Sequence, residues 1–392
     1  MSEPSKYNFP NAQRVQIIEH LGSYIENQTG AMTQGIALEE EESYVEYEDS
    51  PLIRIPNRNY CTFVGRSKSL TQIKDALLSQ DSTSIPAIVG LGGMGKTALA
   101  REVVEYILEK KIFEHIVWVS FKIESFISEK IISNESHSDR LSDVLSSVAR
   151  QCGRLDIAKM PLARKSAALK HLLHNKRVLI VLDNLETLSD EVALVAALTQ
   201  LTGRSRLLLT SRHQVKHEQV LNISLTGLSE DESMLFLRKN GEERNISAIA
   251  QASQSQLIEV YTATGGAPLA MKLVVGQMNR LPMTVILKTL RQASFKGQDY
   301  QFYRFIYKHS WSVLDFASHK LLVDLSVFPP RTGGSVLAVP DISQVEESAF
   351  WSAMDQLVTM SLVDKTGDIS KERYSLHSLT QYFIRSDITK EW

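Results

Sequence analysis

Gly90-Leu91-Gly92-Gly93-Met94-Gly95-Lys96-Thr97 is the part of this sequence that leaves the fold least freedom. It fits G-x-x-x-x-G-K-[ST] and stands between the apolar run Ile85 to Val89 and the helix-forming stretch Ala98 to Glu109, the strand, loop and helix context in which that spacing cradles phosphate. The glycines let backbone N–H groups turn inward with no Cβ in the way, and the helix that follows directs its positive end at the same anion. Lys96 is expected to reach the β- and γ-phosphates, and the Thr97 hydroxyl to ligate Mg²⁺.

A strand of this kind needs parallel neighbours, and the sequence supplies them. Between Phe63 and Ile223 short β-branched runs alternate with helical spacing, the pattern of a mainly parallel sheet covered by helices. The expected strands are Ile85 to Val89, Ile116 to Phe121, Val178 to Leu182, Arg206 to Thr210 and Val220 to Ile223; helices are expected over Arg140 to Gln151, Leu162 to His174 and Asp190 to Leu201. After Ser229 the chain reads as helical to about Arg291, with a break at Gly265, Gly266 and Pro268. The remainder reads as helices around Phe305 to Leu314 and Lys320 to Val327, a Pro329-Pro330 stop, a helix from Ser348 to Met360, a strand-like Leu362-Val363, a polar turn at Lys365 to Lys371, and Arg373 to Leu376. That order is similar to a winged helix. Four segments follow: 1–58, an N-terminal helix (Asn11 to Gln28) and acidic linker; 59–228, a phosphate-loop α/β domain; 229–298, a helical domain; and 299–392, a winged-helix domain.

The run Val178 to Leu182 ends in Asp183, which places a carboxylate beside the phosphate loop where Mg²⁺ would sit. Asn184 follows where many such ATPases have a second acid, so Glu186 is the nearest group that could polarise a water. At the end of the next strand Thr210-Ser211-Arg212 puts two hydroxyls and a guanidinium at the carboxyl edge of the sheet, and Arg212 is placed to sense a γ-phosphate.

Composition narrows the setting. With 43 Lys+Arg against 45 Asp+Glu, the chain carries a net charge of -2 and lacks the positive field that attracts phosphate backbones or anionic lipid. The two cysteines, Cys61 and Cys152, are far apart and have no ligand spacing, which suggests neither a disulfide framework nor a zinc site. The first residues are too polar for a signal peptide, and the best apolar runs (Val178 to Leu182, Val192 to Leu198) are far shorter than a membrane span. A cytoplasmic protein without a membrane partner is expected.

Taken together, these motifs resemble a STAND-type ATPase of the NB-ARC family, signalling switches found in plant resistance proteins, apoptosome scaffolds and bacterial regulators. The resemblance runs over about residues 60–385: Val64-Gly65-Arg66, the phosphate loop, the Asp183 strand, Thr210-Ser211-Arg212, Leu225 with Leu228, Gly266-Ala267-Pro268-Leu269-Ala270, and Leu376-His377-Ser378. It implies an ADP/ATP site formed by Val64, Arg66, Gly90, Leu91, Gly92, Gly93, Met94, Gly95, Lys96, Thr97, Ala98, Pro268 and His377, with Mg²⁺ on Thr97 and Asp183. In that scheme Val64 and Arg66 lie near the adenine, Pro268 packs on the base, and His377 touches the β-phosphate of ADP. Two departures stand out. Ser378 replaces the acid of the family's Met-His-Asp motif, and the sequence runs to Trp392 without the repeat array that relatives use as a sensor. If the sequence is the whole protein, sensing or output is expected from a protein partner, the N-terminal segment or self-assembly.

Three functions compete on these grounds. The first is a nucleotide-dependent switch that exchanges ADP for ATP and hydrolyses slowly. The second is a winged-helix transcription regulator; residues 300–392 hold nine Lys/Arg against eleven Asp/Glu, which argues against DNA tracking. The third is a turnover ATPase, disfavoured by Asn184 beside Asp183.

Overall fold

The computed structural model describes residues 55–388 except 57, 59, 61, 80–83, 122–136, 189, 293–298, 329–332, 344 and 367–371. The helix expected over Asn11 to Gln28, the acidic linker, Cys61 and Pro329-Pro330 lie outside the described residues. The chain divides into two units between Ile306 and Tyr307.

The first unit is built on apolar runs that bury both of their faces. Its elements, in order, are α1 (Ser67–Leu78), β1 (Ile85–Val89), α2 (Lys96–Glu109), β2 (His115–Ser120), α3 (His137–Gln151), α4 (Leu155–Ala158), α5 (Leu162–Asn175), β3 (Val178–Asp183), a 3₁₀ turn (Leu185–Thr187), α6 (Glu191–Thr199), β4 (Arg206–Ser211) and β5 (Val220–Ser224). The strands pair in parallel in the order β2-β3-β4-β1-β5. Alternate residues separate into two cores. Ile85, Ala87, Val89, Ile180, Leu182, Leu207 and Leu209 pack with α3, α5 and α6, while Ile88, Leu179, Val181 and Leu208 pack with α1 and α2. Period-two alternation with both faces apolar explains why Val178 to Leu182 reads as an unbroken hydrophobic run.

Helices α7 (Glu230–Glu243), α8 (Ser247–Ala250), α9 (Gln254–Thr264), α10 (Pro268–Gln277) and α11 (Met283–Gln292) follow, and α12 (Asp299–Ser312) runs across the division. Ser229 and Ser253 each close a capping box, with Glu232 and Gln256 at the reciprocal position, so two orphan donors are satisfied at each helix start. α9 ends on left-handed Gly265, and Pro268 opens α10 at the first helical position; the glycine's freedom and the proline's fixed φ make that break legible in the sequence.

The second unit contains α13 (Phe316–Leu325), β6 (Gly334–Ser335), α14 (Ala338–Ser343), α15 (Glu347–Thr359), β7 (Asp364–Thr366), β8 (Arg373–Ser375), α16 (Ser378–Phe383) and a π-helical turn (Ile384–Ile388). Its three short strands form an antiparallel sheet with β8 central. Tyr307 stacks on Phe383 at 5.3 Å and its hydroxyl accepts from Thr380 Oγ1 at 3.0 Å. The expected strand at Leu362-Val363 is corrected here, since pairing starts at Asp364. Ser361 turns left-handed, and the amides of Leu362 and Val363 both bond the Leu357 carbonyl, at 3.0 and 3.2 Å; donors used to close a helix cannot enter a ladder. Lys365 and Thr366, read as turn, belong to that strand.

Asp324 is buried on α13, and its Oδ2 has no hydrogen-bond partner among the described residues. Burial pushes its carboxyl up to about 7, with Lys320 opposing weakly. A carboxyl raised in the folded state favours folding fully below its ordinary value and loses that contribution as pH rises through its folded value, a span of up to about 4 kcal/mol at ~1.4 kcal/mol per pKa unit. Asp324→Asn keeps the shape and removes the charge. Its melting temperature should change less than that of the unsubstituted protein between pH 5 and pH 8, and at pH 8 the variant should be the more stable of the two.

Candidate nucleotide site

The carboxyl ends of β1, β3 and β4 come together at one edge of the sheet. The phosphate loop leaves β1 there, held by a bond from the Gly90 amide to the Ser211 carbonyl at 3.2 Å. Gly90, Gly93 and Gly95 have φ of 156°, 78° and 88°, conformations that strain any side chain. At Gly90 a Cβ would also stand 2.6 Å from the Leu225 carbonyl. Lys96 begins α2, is 8% exposed, and its Nζ donates to the carbonyls of Gly90 at 2.8 Å and Leu91 at 3.0 Å.

Asp183 is at the end of β3 and is buried. Its Oδ1 accepts from Thr97 Oγ1 at 3.0 Å and Thr210 Oγ1 at 2.6 Å, and its Oδ2 from Asn184 Nδ2 at 3.0 Å. The sequence-predicted metal pair, Thr97 and Asp183, is therefore in direct contact. A hydroxyl and a carboxylate offer the hard oxygen donors that Mg²⁺ takes, one or two from protein and the rest from phosphate and water; these residues fit that ion. Asn184 adopts φ 65° and its own amide donates to Thr210 Oγ1 at 2.9 Å. A carboxylate at 184 would face Asp183 as a like charge, whereas the amide donates to it.

Glu186 and Arg212, expected as separate base and sensor, are brought together. Arg212 Nε lies 3.1 Å from Glu186 Oε1, and the Arg212 amide donates to Oε2 at 3.1 Å. Both carboxylate oxygens are thus engaged by Arg212.

Val64-Gly65-Arg66 closes another side of the site. Arg66 Nη2 donates to the carbonyls of Met94 at 3.3 Å and Thr226 at 2.6 Å, and its backbone amide donates to Glu232 Oε1 at 2.8 Å. Burial of the Arg66 guanidinium lowers its pKa, with the Glu232 charge opposing. The Glu232 carboxyl is pushed upward by burial but more strongly downward by the bonds it accepts from Ser229 and Arg66, leaving it below its usual value. Val64 is buried. Pro268 opens α10, and the next residue's amide, Leu269 N, donates to the Gly93 carbonyl at 3.2 Å. His377 belongs to the second unit, where its Nδ1 accepts from the Leu379 amide at 3.2 Å.

Glu232, Thr226 and Tyr303 were missed from the sequence. Glu232 had a signal in the Ser229-x-x-Glu232 capping box, whose acid serves Arg66 as well. Thr226 acts through its carbonyl, which its side chain does not report. Tyr303 donates its hydroxyl to the Gly92 carbonyl at 3.2 Å, a contact 211 residues apart with no local sequence sign.

The seam between the sheet and the helices behind it is backbone on backbone. The Leu228 amide donates to the Gly266 carbonyl at 2.8 Å, and a Cβ on Gly227 would overlap the Gly265 carbonyl. Gly227→Ala should therefore lower stability by roughly 1–3 kcal/mol in chemical denaturation, and Ser229→Ala by about 1 kcal/mol through loss of the cap. An unchanged midpoint for Gly227→Ala would contradict this close approach.

Comparison with known proteins agrees with this geometry. The family model described as the NB-ARC domain matches residues 66–247. Disease resistance protein RPH8A of Arabidopsis thaliana is 26% identical over 56% of this chain and 24% of its own length. An uncharacterized WD repeat-containing protein of Nostoc sp. is 22% identical over 93% of this chain and 29% of its own. The chain thus spans 24% and 29% of these two relatives. The crystal structure of a STAND (signal transduction ATPase with numerous domains) protein with a tetratricopeptide repeat sensor, from Pyrococcus horikoshii, shares the fold at TM-score 0.57 and 16% identity, over 86% of this chain and 44% of that one. With its phosphate loop after β1 and Asp183 at the end of β3, the stretch 66–247 matches the NB-ARC domain, a P-loop nucleotide-binding domain, and the chain resembles STAND ATPases in fold.

Proposed function

We propose that the chain is an ADP/ATP switch in a signalling or defence pathway, and that nucleotide identity sets the arrangement of its sheet and helical parts. The supporting observation is the convergence of separate segments on the phosphate loop: Arg66 on Met94, and Leu269 on Gly93. A ligand seated there would meet groups from the sheet, the Val64-Gly65-Arg66 segment and the Pro268 helix together, so its exchange would bias how they are held. In this reading Lys96 neutralises the β- and γ-phosphates, exchanging its bonds to the Gly90 and Leu91 carbonyls for phosphate oxygens. Val64, Arg66 and Pro268 bound the base. Thr97 and Asp183 would hold Mg²⁺, which when bound would offset the charge of the phosphates.

Hydrolysis is slow in this proposal. Asn184 has no basicity, and Glu186 must leave Arg212 before it can accept a proton from water. Arg212 in turn becomes free to meet a γ-phosphate when that pair opens. The three-stranded sheet and helices of the second unit support the winged-helix reading of residues 299–392. Output is through a protein partner or a second copy, since the formal charge of that segment disfavours DNA.

Nucleotide released by heat from the purified protein and resolved by chromatography tests the reading. One equivalent of adenine nucleotide is expected, falling below about a tenth of an equivalent in Lys96→Ala. Retention undiminished in Lys96→Ala would remove the phosphate loop as the site. Hydrolysis by the isolated protein should be on the order of 10⁻³ to 10⁻² s⁻¹, as in P-loop switches without a partner. A rate of about 10 s⁻¹, typical of enzymes, would favour a turnover ATPase instead.

A further inference from the structure

We propose that Tyr303 is a positioning residue for phosphate binding: by holding the Gly92 carbonyl from behind, it aims the amides of the phosphate loop at the ligand. The inference rests on the reading that this loop binds nucleotide. Tyr303 is on α12 and is 3% exposed, and its hydroxyl donates to Gly92 O at 3.2 Å. The next carbonyl, Gly93 O, accepts from the Leu269 amide at 3.2 Å. Two consecutive loop carbonyls are therefore held by groups more than 170 residues further along the chain.

In a planar trans peptide the carbonyl and the following N–H point in opposite directions. Fixing the Gly92 and Gly93 carbonyls toward Tyr303 and Leu269 turns the amides of Gly93 and Met94 the other way, as donors in the concavity of the loop. A nest of successive amides binds an anion through this alignment. Accepting a hydrogen bond on each carbonyl also polarises the amide sharing its peptide plane. Space is arranged to the same end. Gly93 has φ 78°, and a Cβ there would overlap the Tyr303 hydroxyl and stand 2.9 Å from Leu269 Cβ. Only glycine allows the loop to lie this close to both supports.

Tyr303→Phe in the full chain removes the hydroxyl and keeps the ring in place. Calorimetric titration with ADP, peptide-level hydrogen exchange over residues 90–97 of the nucleotide-free protein, and thermal melting give three readouts. The proposal expects the Kd for ADP to rise about 3–10-fold, the usual worth of one neutral hydrogen bond, with faster exchange over the loop and a nucleotide-free melting temperature within a degree or so. An ADP Kd unchanged in the variant would overturn the role of Tyr303 while leaving the nucleotide site standing. A weaker Kd accompanied by a parallel fall in melting temperature would also overturn it, by making Tyr303 a general packing residue. Failure of the unsubstituted protein to bind ADP would instead remove the nucleotide reading, and this inference with it.

Discussion

Burial of the sheet on both faces is the constraint from which the rest of this structure follows. Side chains of β1, β3 and β4 alternate between two apolar cores, so no surface is left along those strands where a polar group could act. Chemistry is confined to their carboxyl ends, where the backbone turns out of the sheet. The phosphate loop, Asp183 and the Thr210-Ser211-Arg212 run are each the first residues past a buried strand or its last ones. Open parallel sheets place ligands at this edge generally; here the strand order β2-β3-β4-β1-β5 puts the three ends side by side.

Around that edge, polar groups are arranged so that few donors or acceptors are left idle. Asp183 accepts from Thr97, Thr210 and Asn184, and this network ties α2, β3 and β4 together. Glu232 does similar work at a distance, since one carboxylate accepts from Ser229 at the start of α7 and from the amide of Arg66. The start of α7 and the Val64-Gly65-Arg66 segment are therefore tied to one carboxylate. An Asn at 184 gives the network a donor where a second carboxylate would have introduced repulsion, and the same substitution deprives the site of a ready base.

Much of this was legible in the sequence because it depends on short-range rules. The strand, the glycine spacing and the helix around Lys96 announce themselves within a dozen residues, and Asp183 is marked by the apolar run that ends on it. All five strands of the parallel sheet were located to within a residue at either end. What escaped was carried by backbone atoms or by distance. The carbonyl of Thr226, which receives Arg66, has no side-chain signature. Tyr303 meets Gly92 across most of the chain. The pairing of Glu186 with Arg212 was hidden because each residue was read at the end of its own strand, and only the register of β3 against β4 shows that the two ends are neighbours. Leu362-Val363 shows the opposite error, in which an apolar pair read as strand-like where local helix closure forbids a strand.

The bare contact at Gly227 also limits how this architecture can be recombined. Because main chain meets main chain there, complementarity depends on the path of both segments and not on side chains that could be exchanged at the boundary. A graft of the α7 to α11 helices from a relative would carry its own trace at positions 265 and 266, and the host's Leu225 to Leu228 would have to match it within fractions of an ångström. Residues 225–266 thus form an indivisible block for domain exchange. A workable junction would lie upstream of β5 or beyond the start of α10, and not at the apparent boundary near Ser229.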